Sequence, residues 1–352
     1  MSNKISWYNK LSAFMLVSLL LWSCQSEKKA PIPGVDDIEI DLSLRRFEKE
    51  LFSLDTTQME TSLNTLQSSY PEFSNIFFNQ ILGSGNPDVA ETIGQANYIK
   101  GFINFPAIRQ LYDTCTYMYD DLSAEQASFK KAFQYLKYYF PALPTPDLTT
   151  FISEYTVGAF IYKENSLAIG LDFFLGSDYP YALYNPNNPT FSAYLTRSFN
   201  RDHLVSKTMR VLVEDLTGPP NGSKMLDVMI HRGKQMYIMD QLLPHVADTA
   251  VMEFSKDQFS WLQENEMEIW AFFLAEDLLY STDMQKYRKY VDYSPNAPGM
   301  PVEAPGRVAT WMGYQIVRAY MKKRGLENLS ALVNEKDAQE ILNKSGYRPP
   351  RQ

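Results

Sequence analysis

Apolar positions along the chain fall mostly at helical spacing. Residues Val35 to Leu54 alternate at first and change to a three-and-four spacing at about Leu44, which predicts a short strand feeding a helix. Leu63 and Leu66 mark the next helix, and Pro71 opens another in which Phe73, Ile76, Phe77 and Ile81 recur before Gly83 and Gly85 stop it. Pro106 reads as the first residue of a helix running to Tyr119. Ser123 with Gln126 predicts a capping box for the aromatic helix that ends at Pro141.

The segment 141–149 (PALPTPDLT) carries three prolines and interrupts this pattern, so it reads as a joint inside one fold. Beyond it, Thr150 to Tyr155 and Ser166 to Leu171 look β-like and are expected to pair as a hairpin across VGAFIYKEN. An Asn/Pro cluster, YNPNNP, predicts a surface loop before two helices, one ending MRVLVEDL and one reading MLDVMIHRGKQMYIMDQLLP. Ser255 with Gln258 caps a predicted helix through Tyr280, with Phe259, Leu262, Trp270 and Phe273 on one face. Pro305 is expected to open a helix whose stripe is Val308, Trp311, Met312, Ile316 and Ala319 and whose last turn carries Lys322 and Lys323. A short helix from Lys336 to Lys344, closed by Gly346, ends the chain. The fold class is therefore α+β, predominantly helical with a small sheet.

The amino terminus changes the picture. Lys4 and Lys10 precede an apolar run, Leu11 to Trp22, too short to span a bilayer comfortably, followed by Ser23-Cys24 and the polar QSEKKAPIPG. Residues 1–23 read as a secretory signal, and Leu21-Trp22-Ser23-Cys24 resembles a bacterial lipobox. On that reading Cys24 carries the lipid, residues 24–34 form the tether, and 35–352 form one mainly helical domain. With Cys115 as the remaining cysteine, no disulfide can form within one mature chain; Cys115 reads as a small core residue.

Hydrophobic content of 45% is enough for one large core or two modest ones. The net charge of −8 comes without a long run of either sign, which argues against nucleic acid as a partner. No P-loop, dinucleotide fingerprint or G-x-S-x-G elbow is present. A paired Ser/Lys catalyst stays open.

The order of strand and two helices resembles a zinc-peptidase core, so a degenerate core of that kind is one reading. A zinc hydrolase needs imidazoles spaced to leave the metal an open position. His203, His231 and His245 do not fall at that spacing, and VLVEDLT places Glu214 and Asp215 where the motif would sit, without ligands beside them. No metal site is expected. Asp227, His231 and Lys234 share a side of their helix and read as a solvated face or an interaction surface. Glu266 falls on the apolar stripe of Phe259, Leu262 and Trp270 in the helix from Ser255, with Asp277 one further cycle along beside Phe273, while Arg307 and Arg318, eleven apart, share a face of the next. Carboxylates so placed need partners or a cleft, so these four form either a buried ion-pair lock or a ligand-binding cleft.

Several stretches together resemble the gliding motility lipoprotein GldB family: LWSC, RRFEKELF, SLAIGLDFFLGSDYPYALYNP, MIHRGKQMYIMDQLLP, WLQENEMEIWAFFLAEDLLYSTD and PGRVATWMGYQIVRAYMKK. The resemblance implies a membrane-anchored part of a surface-motility machinery tied to a dedicated secretion system, with partners among those proteins. It implies no known reaction and no cofactor beyond the lipid on Cys24. A non-catalytic docking part is the leading expectation, with an envelope hydrolase or a peptide- or glycan-binding module as rivals.

Overall fold

The computed structural model describes residues 32–184, 186–324 and 328–350, so Cys24, the signal and Gly325 lie outside the described residues. The compact body starts at Val35. Its centre is a four-stranded sheet of β1 (Leu44–Arg46), β2 (Leu148–Phe151), β3 (Ala159–Tyr162) and β4 (Ser166–Gly170), in the order β1-β2-β4-β3. β1, β2 and β4 run parallel, with Leu44 opposite Leu148 and Leu148 opposite Leu167.

The expected hairpin does not form. Ser166–Gly170 does become a strand, whereas of Thr150 to Tyr155 only Thr150 and Phe151 do, at the end of β2; β2 and β4 pair in parallel, and the antiparallel partner of β4 is β3, drawn from VGAFIYKEN itself. Sequence missed β3 because it is four residues long and three of them are only half-buried, which erases the alternation. β2 and β4 are buried along their whole length, as parallel strands covered on both faces are.

Period-two alternation sends the side chains of these strands into two separate cores. On one face Phe151 and Ala168 meet helices from the first hundred residues of the body: α1 (Met59–Ser69), α2 (Pro71–Ile76), a π-helical turn Phe77–Ile81, and α3 (Gln95–Asn104). Phe47 lies at the centre of that core, edge-on to Tyr70, Phe73 and Phe77 at 4.8 to 5.1 Å. On the other face Leu148, Leu167 and Ile169 join a larger core built from α4 (Ser123–Tyr139), α5 (Arg201–Thr217), α6 (Met225–Leu242) and later helices. Among the described residues no helix is long and apolar enough to cross a membrane.

Three predicted helices are redrawn. Ser123 makes no cap; it is the first helical residue, and its backbone N–H donates to Asp121 at 2.8 Å. The run from Ser255 starts with the predicted capping box but breaks at Asn265, whose side-chain amide donates to the Trp261 carbonyl at 2.7 Å. It is two helices, α7 (Lys256–Glu264) and α8 (Glu266–Ala275). The last long helix, α9 (Val308–Arg324), begins three residues after Pro305.

Instead of one stripe, α9 is buried on every side from Val308 to Val317, and Ala319 is only half-buried. The cause is its partner. α6 and α9 cross with backbones touching at two glycines: a Cβ on Gly313 would lie 2.0 Å from the Met229 carbonyl oxygen, and one on Gly233 would lie 2.2 Å from the Gly313 carbonyl carbon.

Candidate functional site

The residues singled out in the sequence go to different places. Glu214 and Asp215 are exposed near the end of α5, with Glu214 3.7 Å from Arg232. His231 and Lys234, expected on a solvated face, are instead 6% and 4% exposed, because α6 is enclosed on nearly all sides. Asp227 stays half-buried and closes the start of α6 by accepting from the Lys224 backbone N–H at 3.0 Å. The His231 ring lies 3.0 Å from the Gln235 amide nitrogen, which also donates to Thr217. Burial, with Lys234, Arg232 and Lys336 nearby, pushes this imidazole down to about 4, so it is neutral at physiological pH. Burial likewise brings the Lys234 ammonium down to about 8, and it donates to the carbonyls of Glu335 at 2.8 Å and Leu332 at 3.4 Å.

His203 bonds Asn200 at 2.8 Å and His245 meets Ser128 at 3.0 Å, so the three imidazoles do not converge. Among the described residues no three His, Cys, Asp or Glu side chains are grouped to hold a metal ion.

The expected quartet separates. Glu266 is buried and accepts from the Tyr347 hydroxyl at 2.6 Å, and Arg318 lies close enough to Tyr347 to act on its phenol. Asp277 is exposed, in a left-handed turn after α8 with φ of 50°. Arg307 precedes α9 in a left-handed conformation, φ 66°, so it does not share a helical face with Arg318. The helix break at Asn265 puts Glu266 at the start of α8, in a different helix from Phe259 and Leu262. Glu266 and Arg318 thus meet at Tyr347, while Asp277 and Arg307 lie elsewhere.

Arg307 belongs instead to a centre built on Glu253. That carboxylate is 1% exposed, receives Lys207 at 2.6 Å, Arg210 at 2.9 Å and the Tyr293 hydroxyl at 2.9 Å, and has Ser198 at 3.4 Å. Arg197 donates to the Glu253 backbone carbonyl at 2.5 Å, and the Arg307 guanidinium stacks 4.4 Å above the Tyr293 ring. Burial opposes ionisation of Glu253, but Lys207, Arg210 and Arg307 outweigh it and hold the carboxyl well below its usual range. The arrangement ties α5 to the helix Asp248–Met252 and to the turn that launches α9. It is an ionic lock of the kind expected around Glu266, built on a residue that helical periodicity cannot flag because it sits in a connection with φ of 55°.

A second feature is a cleft of about 730 Å³ against the first core. α1, α2, the π-turn and α3 line it with uncharged polar side chains, chiefly Asn64, Gln67, Asn75, Asn79, Ser84 and Gln95. The π-turn bonds Leu82 N–H back to the Phe77 carbonyl at 2.9 Å, and its extra residue lets Phe77 and Phe78 both reach the core while Asn79 stays outside. The side chains are linked in series. Gln67 donates to Gln95 at 3.3 Å, Gln95 to Ser84 at 3.3 Å, and the buried Ser84 hydroxyl to the Phe78 carbonyl at 2.8 Å. Beside Gly85, Asn79 donates to Asn75 at 2.5 Å. The signal for this cleft was present in LNTLQSSYPEFSNIFFNQ, where the positions between the apolar ones carry amides and hydroxyls with Glu72 as the one charge.

Neither a curated protein nor a solved structure matches the chain. A family model described as gliding motility protein GldB matches residues 28–349.

Proposed function

Because the chain belongs to the gliding motility protein GldB family, we propose that it serves as an envelope lipoprotein of the motility machinery, anchored through Cys24 and acting without catalysis as a docking part. The family match over residues 28–349 carries this reading. The lipobox-like Leu21-Trp22-Ser23-Cys24 supports the anchor, since acyl chains on one cysteine hold a protein at a bilayer without a spanning helix. Ten residues, Gln25 to Gly34, separate that cysteine from the compact body. Fully extended they reach roughly 35 Å, which keeps the body beside its membrane, on the periplasmic side in this proposal, where other motility or secretion proteins would meet it.

The test is colony spreading by a strain lacking the gene, complemented with the intact chain or with Cys24→Ala. Spreading is expected to be lost, restored by the intact chain, and not restored by Cys24→Ala, whose product should leave the membrane fraction. Normal spreading without the gene would remove the motility role; full rescue by Cys24→Ala would remove the anchor.

A further inference from the structure

We propose that the cleft between α1, α2, the π-turn and α3 binds an uncharged glycan through side-chain amides and hydroxyls. This assignment does not depend on the docking role. Among the described residues no Lys, Arg, Asp or Glu lines the cleft, so none of them compensates the charge of a phosphate, a carboxylate or an amine. Apolar surface is present as well, from the exposed ring of Pro71 and from backbone and side-chain carbons. Phe78 forms part of the floor but is fully buried, so the lining presents no exposed aromatic or long aliphatic side chain to a lipid, and Pro71 is left as a small apolar face against which a sugar ring can lie.

What the cleft does offer is groups that both donate and accept. A side-chain amide has two N–H donors and two acceptor lone pairs. Gln67 spends one N–H on Gln95, Gln95 spends one lone pair there and one N–H on Ser84, and Asn79 spends one N–H on Asn75. The remaining donors and acceptors point from linked, mutually oriented groups, as neighbouring hydroxyls on a sugar ring require, since each hydroxyl also donates and accepts. The volume lies within the range that bound small ligands occupy. A peptide is the weaker fit. The walls are helices, so no strand edge is available for backbone pairing, and no apolar groove is present for helix anchors.

Gly85 shows that the geometry is set closely. A Cβ there would lie 2.0 Å from the Asn79 side-chain oxygen, while the Gly85 backbone itself needs no left-handed φ. Gly85→Ala should therefore leave the fold in place and displace Asn79 from its position in the cleft.

The experiment is titration calorimetry on the full chain, extracted in a detergent with no sugar headgroup. Maltohexaose, cellohexaose and chitohexaose are the glycan probes. An uncharged Gly/Ser/Gln peptide and a heparin oligosaccharide are the comparisons. At least one of the three neutral glycans should bind, equally at low and high salt, while the heparin oligosaccharide does not. Gly85→Ala, Asn79→Ala and Asn64→Ala should each weaken binding by about tenfold or more, with unchanged circular dichroism and melting temperature. Asn64 is exposed on α1, so its variant keeps the test valid if another fails to fold. The proposal is overturned if none of the three glycans binds, if folded variants bind as well as the parent chain, or if the peptide alone binds.

Discussion

Asp172 shows at the scale of one residue how burial sets a charge. The residue follows β4 and is fully buried, with one carboxylate oxygen taking backbone N–H groups from Tyr155 at 2.6 Å and Ser153 at 3.1 Å. The other oxygen has no partner among the described residues. Desolvation therefore outweighs those bonds and pushes the carboxyl up to about 6. A carboxyl whose folded pKa is raised contributes its full stability below its unfolded value of about 4, and loses it as the pH rises through 6. Asp172→Asn carries no charge at any of these pH values. Its stability relative to the parent chain should be higher at pH 8 than at pH 4 by about 2–3 kcal/mol, read from chaotrope unfolding at both. A difference that does not change with pH would mean that Asp172 is solvated in the folded chain. None of this was legible in LAIGLDFFLG, where Asp172 is one polar letter in an apolar run; the loop that wraps it, with Glu154 and Tyr155 at φ of 55° and 59°, comes from another part of the chain.

Local start signals were readable from sequence at some helices, though the same kinds of signal misplaced the starts at Ser123 and Pro305. Pro71 and Pro106 stand at first helical positions, and Ser255 with Gln258 forms its reciprocal cap, because these signals act within four residues. The rest depends on distant partners. Asn265 breaks a continuous apolar pattern, and α9 is enclosed because α6 approaches it through Gly233 and Gly313, which sequence alone presents as two unremarked glycines. Gly313→Ala would force backbone apart, since its Cβ would meet the Met229 carbonyl and no flexible side-chain tip can yield. The expected loss is about 3 kcal/mol, the upper part of the range for overpacking. Gly101 in α3 supplies the contrast: a Cβ there meets nothing within 4 Å. Gly101→Ala should gain about 0.5–1 kcal/mol from reduced backbone freedom in the unfolded chain. Equal effects at the two positions, in unfolding experiments under the same conditions, would show that α6 and α9 do not touch at these glycines.

The candidate sites differ in the same way at the scale of the molecule. Residues of the polar cleft lie within about thirty positions of one another, and their uncharged pattern can be seen in one stretch; the Glu253 lock gathers residues from 197 to 307, and nothing local announces it. The proline-rich segment 141–149 raises a related question, whether it separates parts that can stand alone. It leads directly into β2, which pairs with β1 from before the segment and β4 from after it. Removing everything up to residue 141 would uncover Phe151, Tyr162 and Ala168 on one face of the sheet, and would take Phe129 and Phe133 of α4 from the core on the other. Each buried aromatic hides roughly 150–250 Å², so the exposed patch would exceed what a monomer ordinarily leaves in water. A chain comprising residues 142–352 should bind a hydrophobic dye and self-associate in size-exclusion chromatography. If it ran instead as a monomer with a sharp unfolding transition, the larger core would be self-sufficient, and the helices carrying the polar cleft would be an addition to a fold complete without them.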